Sequence, residues 1–258
     1  MRLLSASLIA LLCGASPLAA GDIPLDQRRS GYADLGPDTK AMQDDDTANP
    51  ATFWVLDGET LWGTKAGAAN KSCADCHGDA AQSMAGAAAR YPAFDAAEKK
   101  PIDLEARINL CRRDKQNATP FGFESHELLA LTAYVARQSR GQPIADFSDK
   151  RLAPFIAQGR ALFEQRQGQI NMSCAQCHDD NWGKKLAGNI VPQAHPTGYP
   201  IYRLEWQSLG SLQRRLRNCT IGMRAEPYAY GSAENVALEL YLMWRARGMT
   251  MESPGVRP

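Results

Sequence analysis

Two short stretches carry the chemistry of this 258-residue chain: Ser72-Cys73-Ala74-Asp75-Cys76-His77 and Ser173-Cys174-Ala175-Gln176-Cys177-His178. Two cysteines separated by two residues and followed at once by histidine form the attachment signature of a c-type haem. The sulfurs take up thioether bonds to the porphyrin vinyls and the histidine ligates the iron. A CxxC pair alone would also read as zinc or a redox dithiol, but here the histidine occurs both times in the same place. The spacing therefore predicts two covalently bound haem c groups, one on Cys73 and Cys76 with His77 on the iron, the other on Cys174 and Cys177 with His178.

The elements that must position these motifs are themselves duplicated. Gly58, Leu61, Gly67, Asn70 and Ser72 recur 101 residues later as Gly159, Leu162, Gly168, Asn171 and Ser173, with Trp62 matched by Phe163. At an offset of 108, Leu104, Arg107, Ile108 and Cys111 fall on Leu212, Arg215, Leu216 and Cys219. At 107, Pro120, Phe121, Ser125, Glu127, Tyr134 and Arg140 fall on Pro227, Tyr228, Ser232, Glu234, Tyr241 and Arg247. A period of this length marks a tandem repeat. Each repeat reads as an N-terminal helix, the haem motif, a variable loop, a cysteine segment and a C-terminal helix. Strand-like alternation is scarce, so the expected fold is all-α: a tandem pair of class I-like cytochrome c domains joined by a short linker. The expected boundaries are a leader over 1–20, an extended N-terminal arm over 21–50, a first domain over 51–142 and a second over 143–258. The loop from Asp179 to Tyr199 has no clean counterpart after the first haem and reads as a surface loop.

Cys111 and Cys219 are the cysteines that haem attachment leaves over. Leu104, Arg107, Ile108 and Cys111 have the spacing of one helix face, as do Leu212, Arg215, Leu216 and Cys219. Three readings follow: a Cys111–Cys219 disulfide, two inert buried thiols, or a thiolate on the far side of each iron. A disulfide needs α-carbons about 5.5 Å apart, whereas equivalent positions facing separate cores should lie farther from each other. Methionine is the ordinary distal ligand, but Met84, Met223 and Met243 are not duplicated, nor are His126 and His195. Thiolate is the candidate that recurs, which favours His77/Cys111 and His178/Cys219 as the axial pairs. Thiolate donates charge to ferric iron, so such a haem suits sulfur chemistry better than generic electron shuttling.

The address is legible as well. Met1-Arg2, an apolar run from Leu3 to Leu12 and small residues through Ala19-Ala20-Gly21 predict a secretory signal peptide cleaved near Ala20. Cys13 follows Leu12, where lipid attachment would expect a small residue. No other apolar run is long enough to span a bilayer. A soluble, exported protein of the bacterial periplasm is expected. The net charge of +1 gives no global attraction to nucleic acid or a membrane surface.

The two CxxCH motifs, the two later cysteines and the run from Arg215 through Cys219 to Tyr228 resemble SoxA, the family of dihaem subunits of SoxAX cytochrome complexes in bacterial sulfur oxidation. The resemblance covers essentially the whole mature chain. It implies oxidative conjugation of thiosulfate to a cysteine of a SoxYZ-like carrier protein, with a SoxX-like monohaem cytochrome c as partner in a heterodimer. It further implies that the second haem is catalytic, that Cys219 can become a persulfide, and that the first haem is accessory. Thiosulfate is a dianion, and guanidinium suits oxyanions better than a lysine point charge. Arg215, one turn before Cys219, is then the first choice for a substrate clamp, with Arg245 and Arg247 as candidates to complete the pocket. The alternative duty of Arg215 is a haem propionate, because Arg107 recurs beside the first haem. The rival functions are a tetrathionate-forming thiosulfate dehydrogenase and a plain dihaem electron-transfer cytochrome.

Overall fold

The structure, a computed structural model, describes residues 23–258, so the leader expected over 1–20 lies outside the described residues. After helix α1 (Pro37–Asp44), the first repeat supplies α2 (Thr52–Gly63), α3 (Ala74–His77), α4 (Ala80–Ser83), strands β1 (Ala93–Asp95) and β2 (Lys100–Ile102), then α5 (Leu104–Lys115) and α6 (His126–Arg137). The second supplies α7 (Ala153–Glu164), α8 (Cys174–His178), β3 (Lys185–Leu186), β4 (Asn189–Ile190), β5 (Ile201–Arg203), β6 (Ser208–Gly210), α9 (Leu212–Gly222), α10 (Ala233–Arg245) and β7 (Gly255–Arg257).

Local chemistry sets the helix starts. The side chains of Asp103, Ser125, Ser211 and Ser232 accept from the backbone N–H groups of Ala106, Leu128, Arg214 and Asn235, occupying donors that the first turn of a helix leaves unpaired. The same two cap positions serve in both repeats. In each repeat the first and last long helices cross at a glycine. A Cβ at Gly58 would lie 2.1 Å from the Ala130 carbonyl oxygen, and one at Gly159 would lie 2.0 Å from that of Ala237. The pairs α2/α6 and α7/α10 therefore meet backbone to backbone, and only a residue without a side chain fits.

Helices dominate, but the all-α expectation needs correction. Two antiparallel hairpins, β1–β2 and β5–β6, pair Ala93 with Ile102 and Ile201 with Gly210, and β7 joins β5 in parallel with Ile201 opposite Gly255. A third hairpin joins β3 to β4. These strands are too short for a period-two pattern to stand out from the sequence.

The expected arm is not merely extended, since it contains α1, and it is fastened to both repeats. The buried Gln43 accepts through Oε1 from the Val256 N–H at 2.9 Å, and Asn49 donates to the Pro254 carbonyl at 3.2 Å. Asp46 pairs with Arg137 and Arg140 at 2.6 and 2.8 Å. The linker is likewise pinned, with Gly141 and Ile144 N–H groups donating to the carbonyls of Met251 and Met249. One hydrophobic cluster runs through both repeats, taking Trp62, Leu131 and Val135 from the first and Leu240, Met243 and Ala246 from the second. Among the described residues no helix is long and apolar enough to cross a membrane.

Candidate functional site

The second CxxCH motif opens α8 with a capping box: Ser173 accepts from the Gln176 N–H, and the Gln176 side chain accepts from the Ser173 N–H. This fixes the turn that presents His178. Its Nδ1 lies 2.7 Å from the Pro192 carbonyl oxygen. That acceptor holds the ring in the tautomer with Nδ1 protonated and leaves the Nε2 lone pair for a metal. Helix α9 brings Cys219 to the other side of a cavity that Cys174, His178, Arg215 and Cys219 share. Its walls are apolar, with Phe163, Leu212, Leu216, Leu238 and Leu242.

Burial pushes the Cys219 thiol up, but a hydrogen bond with His178 and the charges of Arg215, His178 and Arg203 outweigh that push, so it ionises below its ordinary value. Thiolate is the form that binds a metal and attacks sulfur. At Cys111 burial wins over the Arg107 charge and the thiol lies above its ordinary value. The donor set around Cys219 fits a haem c: two thiols at the attachment spacing, a nitrogen and a sulfur facing each other, and apolar walls for a flat macrocycle. Among the described residues no group of three or more His, Cys, Asp and Glu side chains gathers as a bare-ion site requires. Cys111 and Cys219 are free thiols, which sets aside the disulfide reading.

The first site is more open. His77 and Cys76 are exposed, and the His77 ring packs beside Trp62 with centroids 5.7 Å apart. Burial raises the Cys73 thiol, with the neighbouring Cys111 adding to the effect, so α3 and α5 bring these cysteines near each other as α8 and α9 do theirs. The difference lies in the covering. The loop after α8 is seven residues longer, and it is not the simple surface loop expected from sequence. Its β3–β4 tip is exposed, but Pro192, Ala194, His195 and Tyr199 turn inward and line the cavity. His195 Nδ1 meets the Arg29 carbonyl at 2.9 Å, which ties this roof to the arm.

Arg215 lines the cavity and has no ion pair among the described residues, whereas its counterpart Arg107 is taken by Asp95. The recurrence of Arg107 thus gives no support to a propionate role for Arg215. Arg245 and Arg247 do not line this cavity. Arg245, 2% exposed, turns behind His178 to meet Asp179 at 2.6 Å and the Phe163 ring at 4.7 Å. Arg247 lies beyond the end of α10, stacks on Trp244 at 4.0 Å and donates to the Trp244 carbonyl. Both were candidates to complete the pocket, and neither is among the residues that line it. Arg203 and Tyr199, which the sequence reading did not single out, do line the cavity. The signal available was the doublet Tyr91-Pro92, repeated 108 residues later as Tyr199-Pro200.

Comparison with known proteins agrees with this geometry. The SoxA/TsdA cytochrome c domain family matches residues 57–144 and again 158–251. The L-cysteine S-thiosulfotransferase subunit SoxA of Pseudaminobacter salicylatoxidans is 39% identical over 235 residues, 91% of this chain and 82% of its own. That of Rhodovulum sulfidophilum is 34% identical over 90% of this chain and 81% of its own. The crystal structure of SoxXA from P. pantotrophus contains a chain that aligns with a TM-score of 0.86 at 32% identity, over 90% of this chain and 87% of that one.

Proposed function

The chain belongs to the SoxA/TsdA cytochrome c family, and from that membership and the chemistry of the second site we propose that it is the dihaem subunit of an L-cysteine S-thiosulfotransferase. Its role is the oxidative conjugation of thiosulfate to a cysteine of a SoxYZ-like carrier protein, in complex with a SoxX-like monohaem cytochrome c. One haem c is held by Cys73, Cys76, His77 and Cys111 and the other by Cys174, Cys177, His178 and Cys219. When bound, each haem supplies a one-electron acceptor, and more than one is needed because forming a sulfur–sulfur bond releases two electrons.

The observation that carries the proposal is Cys219 facing His178, with Arg215, which has no ion pair among the described residues, lining the same cavity. Arg215 binds the sulfonate end of thiosulfate through its forked donors. That orients the sulfane sulfur toward Cys219, and two electrons leave as their bond forms. The carrier thiol then loses its proton and attacks the sulfane sulfur, the new bond replaces the one to Cys219, and Cys219 departs as thiolate. The sum is one thiol and one thiosulfate converted to a thiosulfonate, two electrons and one proton. The leader-like first twenty residues and covalent haem attachment fit a periplasmic location.

The test is Cys219→Ser in the complex with partner and carrier, following the mass gained by the carrier. Loss of the adduct with both haems attached is the expected result. An undiminished adduct would overturn the proposal, and tetrathionate formed at full rate without carrier would favour the dehydrogenase instead.

A further inference from the structure

The two repeats build the same frame around their cysteines, and one charge in it is reversed. Tyr91, Asp95, Arg107 and Cys111 correspond to Tyr199, Arg203, Arg215 and Cys219, each pair 108 residues apart. The correspondence is structural as well as sequential. Both tyrosines precede a cis proline, both hairpins place strand residues Ala93 and Ile201 in the same register, and both turn through a left-handed residue at the same place, Lys99 with φ 54° and Gln207 with φ 50°.

In the first repeat Asp95 on β1 neutralises Arg107 by an ion pair. In the second the position of Asp95 is held by Arg203 on β5, which repels Arg215. Both guanidiniums face the cavity that holds Cys219. Arg203 is only 8% exposed and firmly placed: its Nε and Nη2 donate to the Pro258 main-chain oxygen at 3.0 and 2.7 Å, and Glu205 lies at 3.3 Å. Its third nitrogen, Nη1, makes no hydrogen bond among the described residues. Glu205, half exposed, offsets part of the Arg203 charge, but no carboxylate among the described residues pairs with Arg215, so the two guanidiniums leave net positive charge beside Cys219 that an anion would relieve.

We propose that Arg203 and Arg215 together form a two-point clamp for the sulfonate end of thiosulfate, and that the exchange of Asp95 for Arg203 confines thiosulfate to the second site. This rests on the function proposed above and identifies what selects a dianion there. The first site has the same cysteine and histidine pattern, but its arginine is already neutralised, so it has little attraction for an oxyanion.

The experiment uses the complex of this chain with its monohaem partner, both haems attached, carrying Arg203→Gln, Arg203→Lys or Arg215→Gln. Thiosulfate binding is measured by calorimetry without carrier, and KM and kcat with it. Removing one charged hydrogen-bonding arm from an oxyanion corresponds to about a ten- to hundredfold weakening. Arg203→Gln should raise the dissociation constant and KM by that factor with kcat within a few-fold, and Arg203→Lys should recover part of the loss. A merely structural role would instead lower haem content or melting temperature and leave KM in place. If Arg203→Gln binds thiosulfate like the parent while Arg215→Gln abolishes conjugation, the clamp is wrong and the function stands. If both variants bind and conjugate like the parent, the function falls with it. Should Arg203→Gln lose haem, Arg203→Lys decides alone: an unchanged KM overturns the clamp, a raised KM at constant kcat supports it.

Discussion

Arg245 offers the sharpest test of where the second site ends. Its guanidinium side chain is 1% exposed and pairs with Asp179, itself 15% exposed and next to His178 of the second CxxCH motif. The same group donates to the Gln193 carbonyl at 3.3 Å and lies over the Phe163 ring. Arg245→Met removes the cation and strands the Asp179 carboxylate, whose Oδ2 is buried with no partner of its own. Breaking a buried pair by deleting one member costs about 3–5 kcal/mol. A domain has only about 5–15 kcal/mol in total. The expected result is a large fall in the guanidinium midpoint, read from the absorbance of the second haem, with KM for thiosulfate unchanged wherever the variant is folded. The double variant Arg245→Met with Asp179→Leu should recover most of the loss, because both charges are then gone. Full stability in Arg245→Met together with a raised KM would refute this reasoning and return Arg245 to the substrate pocket.

Other outcomes follow from particular contacts. Gly159→Ala forces a Cβ against the Ala237 carbonyl and should cost about 2–4 kcal/mol in denaturant unfolding, an overpacking cost against backbone. Gly63→Ala, at a helix end with nothing within 4 Å of the new Cβ, should be neutral or gain up to about 1 kcal/mol. Burial, opposed by the bond to Arg29 and reinforced by the Arg245 charge, lowers His195 from 6.5 to about 4. Its neutral form is the one the fold accepts, so stability should be full above pH 6.5, fall by up to about 3 kcal/mol toward pH 4 and level off below. His195→Gln should flatten that slope, and an identical slope in both proteins would contradict the assignment. Glu105 is raised to about 8 by burial and then by Asp103, so its contribution runs the other way: complete below pH 4.5 and lost as pH rises through 8. Glu105→Gln should therefore be more stable than the parent by about 4 kcal/mol at pH 8 and indistinguishable at pH 4.

What could be read from the sequence was what covalent chemistry and helix geometry tie to fixed spacing. The CxxCH motifs, the glycines at the helix crossings and the cysteine one turn beyond Arg107 or Arg215 cannot shift by a residue without losing their purpose. The hairpins could be missed because three-residue strands show no alternation, and because the offset between repeats moves from 101 to 108 across the longer second loop. That shift hid the pairing of Asp95 with Arg203. Arg245 entered as a pocket candidate on residue type alone, and its partner Asp179, 66 residues earlier, left no local signal of the ion pair. The arm's grip on both repeats depends on Gln43, Asn49 and Asp46, polar residues whose partners more than ninety residues away leave no periodic trace.

The hydrophobic cluster that passes without a break from Trp62 to Met243, reinforced by the pinned linker, makes the two redox centres parts of one stiff body. Electron tunnelling weakens exponentially with gap, so a hinged pair of carriers would exchange charge at a rate that wandered with every swing. Here the gap is built into the packing. A substitution that loosens Leu131 against Leu240 should therefore disturb the timing of oxidation before it disturbs either centre, and the molecule behaves as a wire of set length with its reactive end roofed and its other end bare.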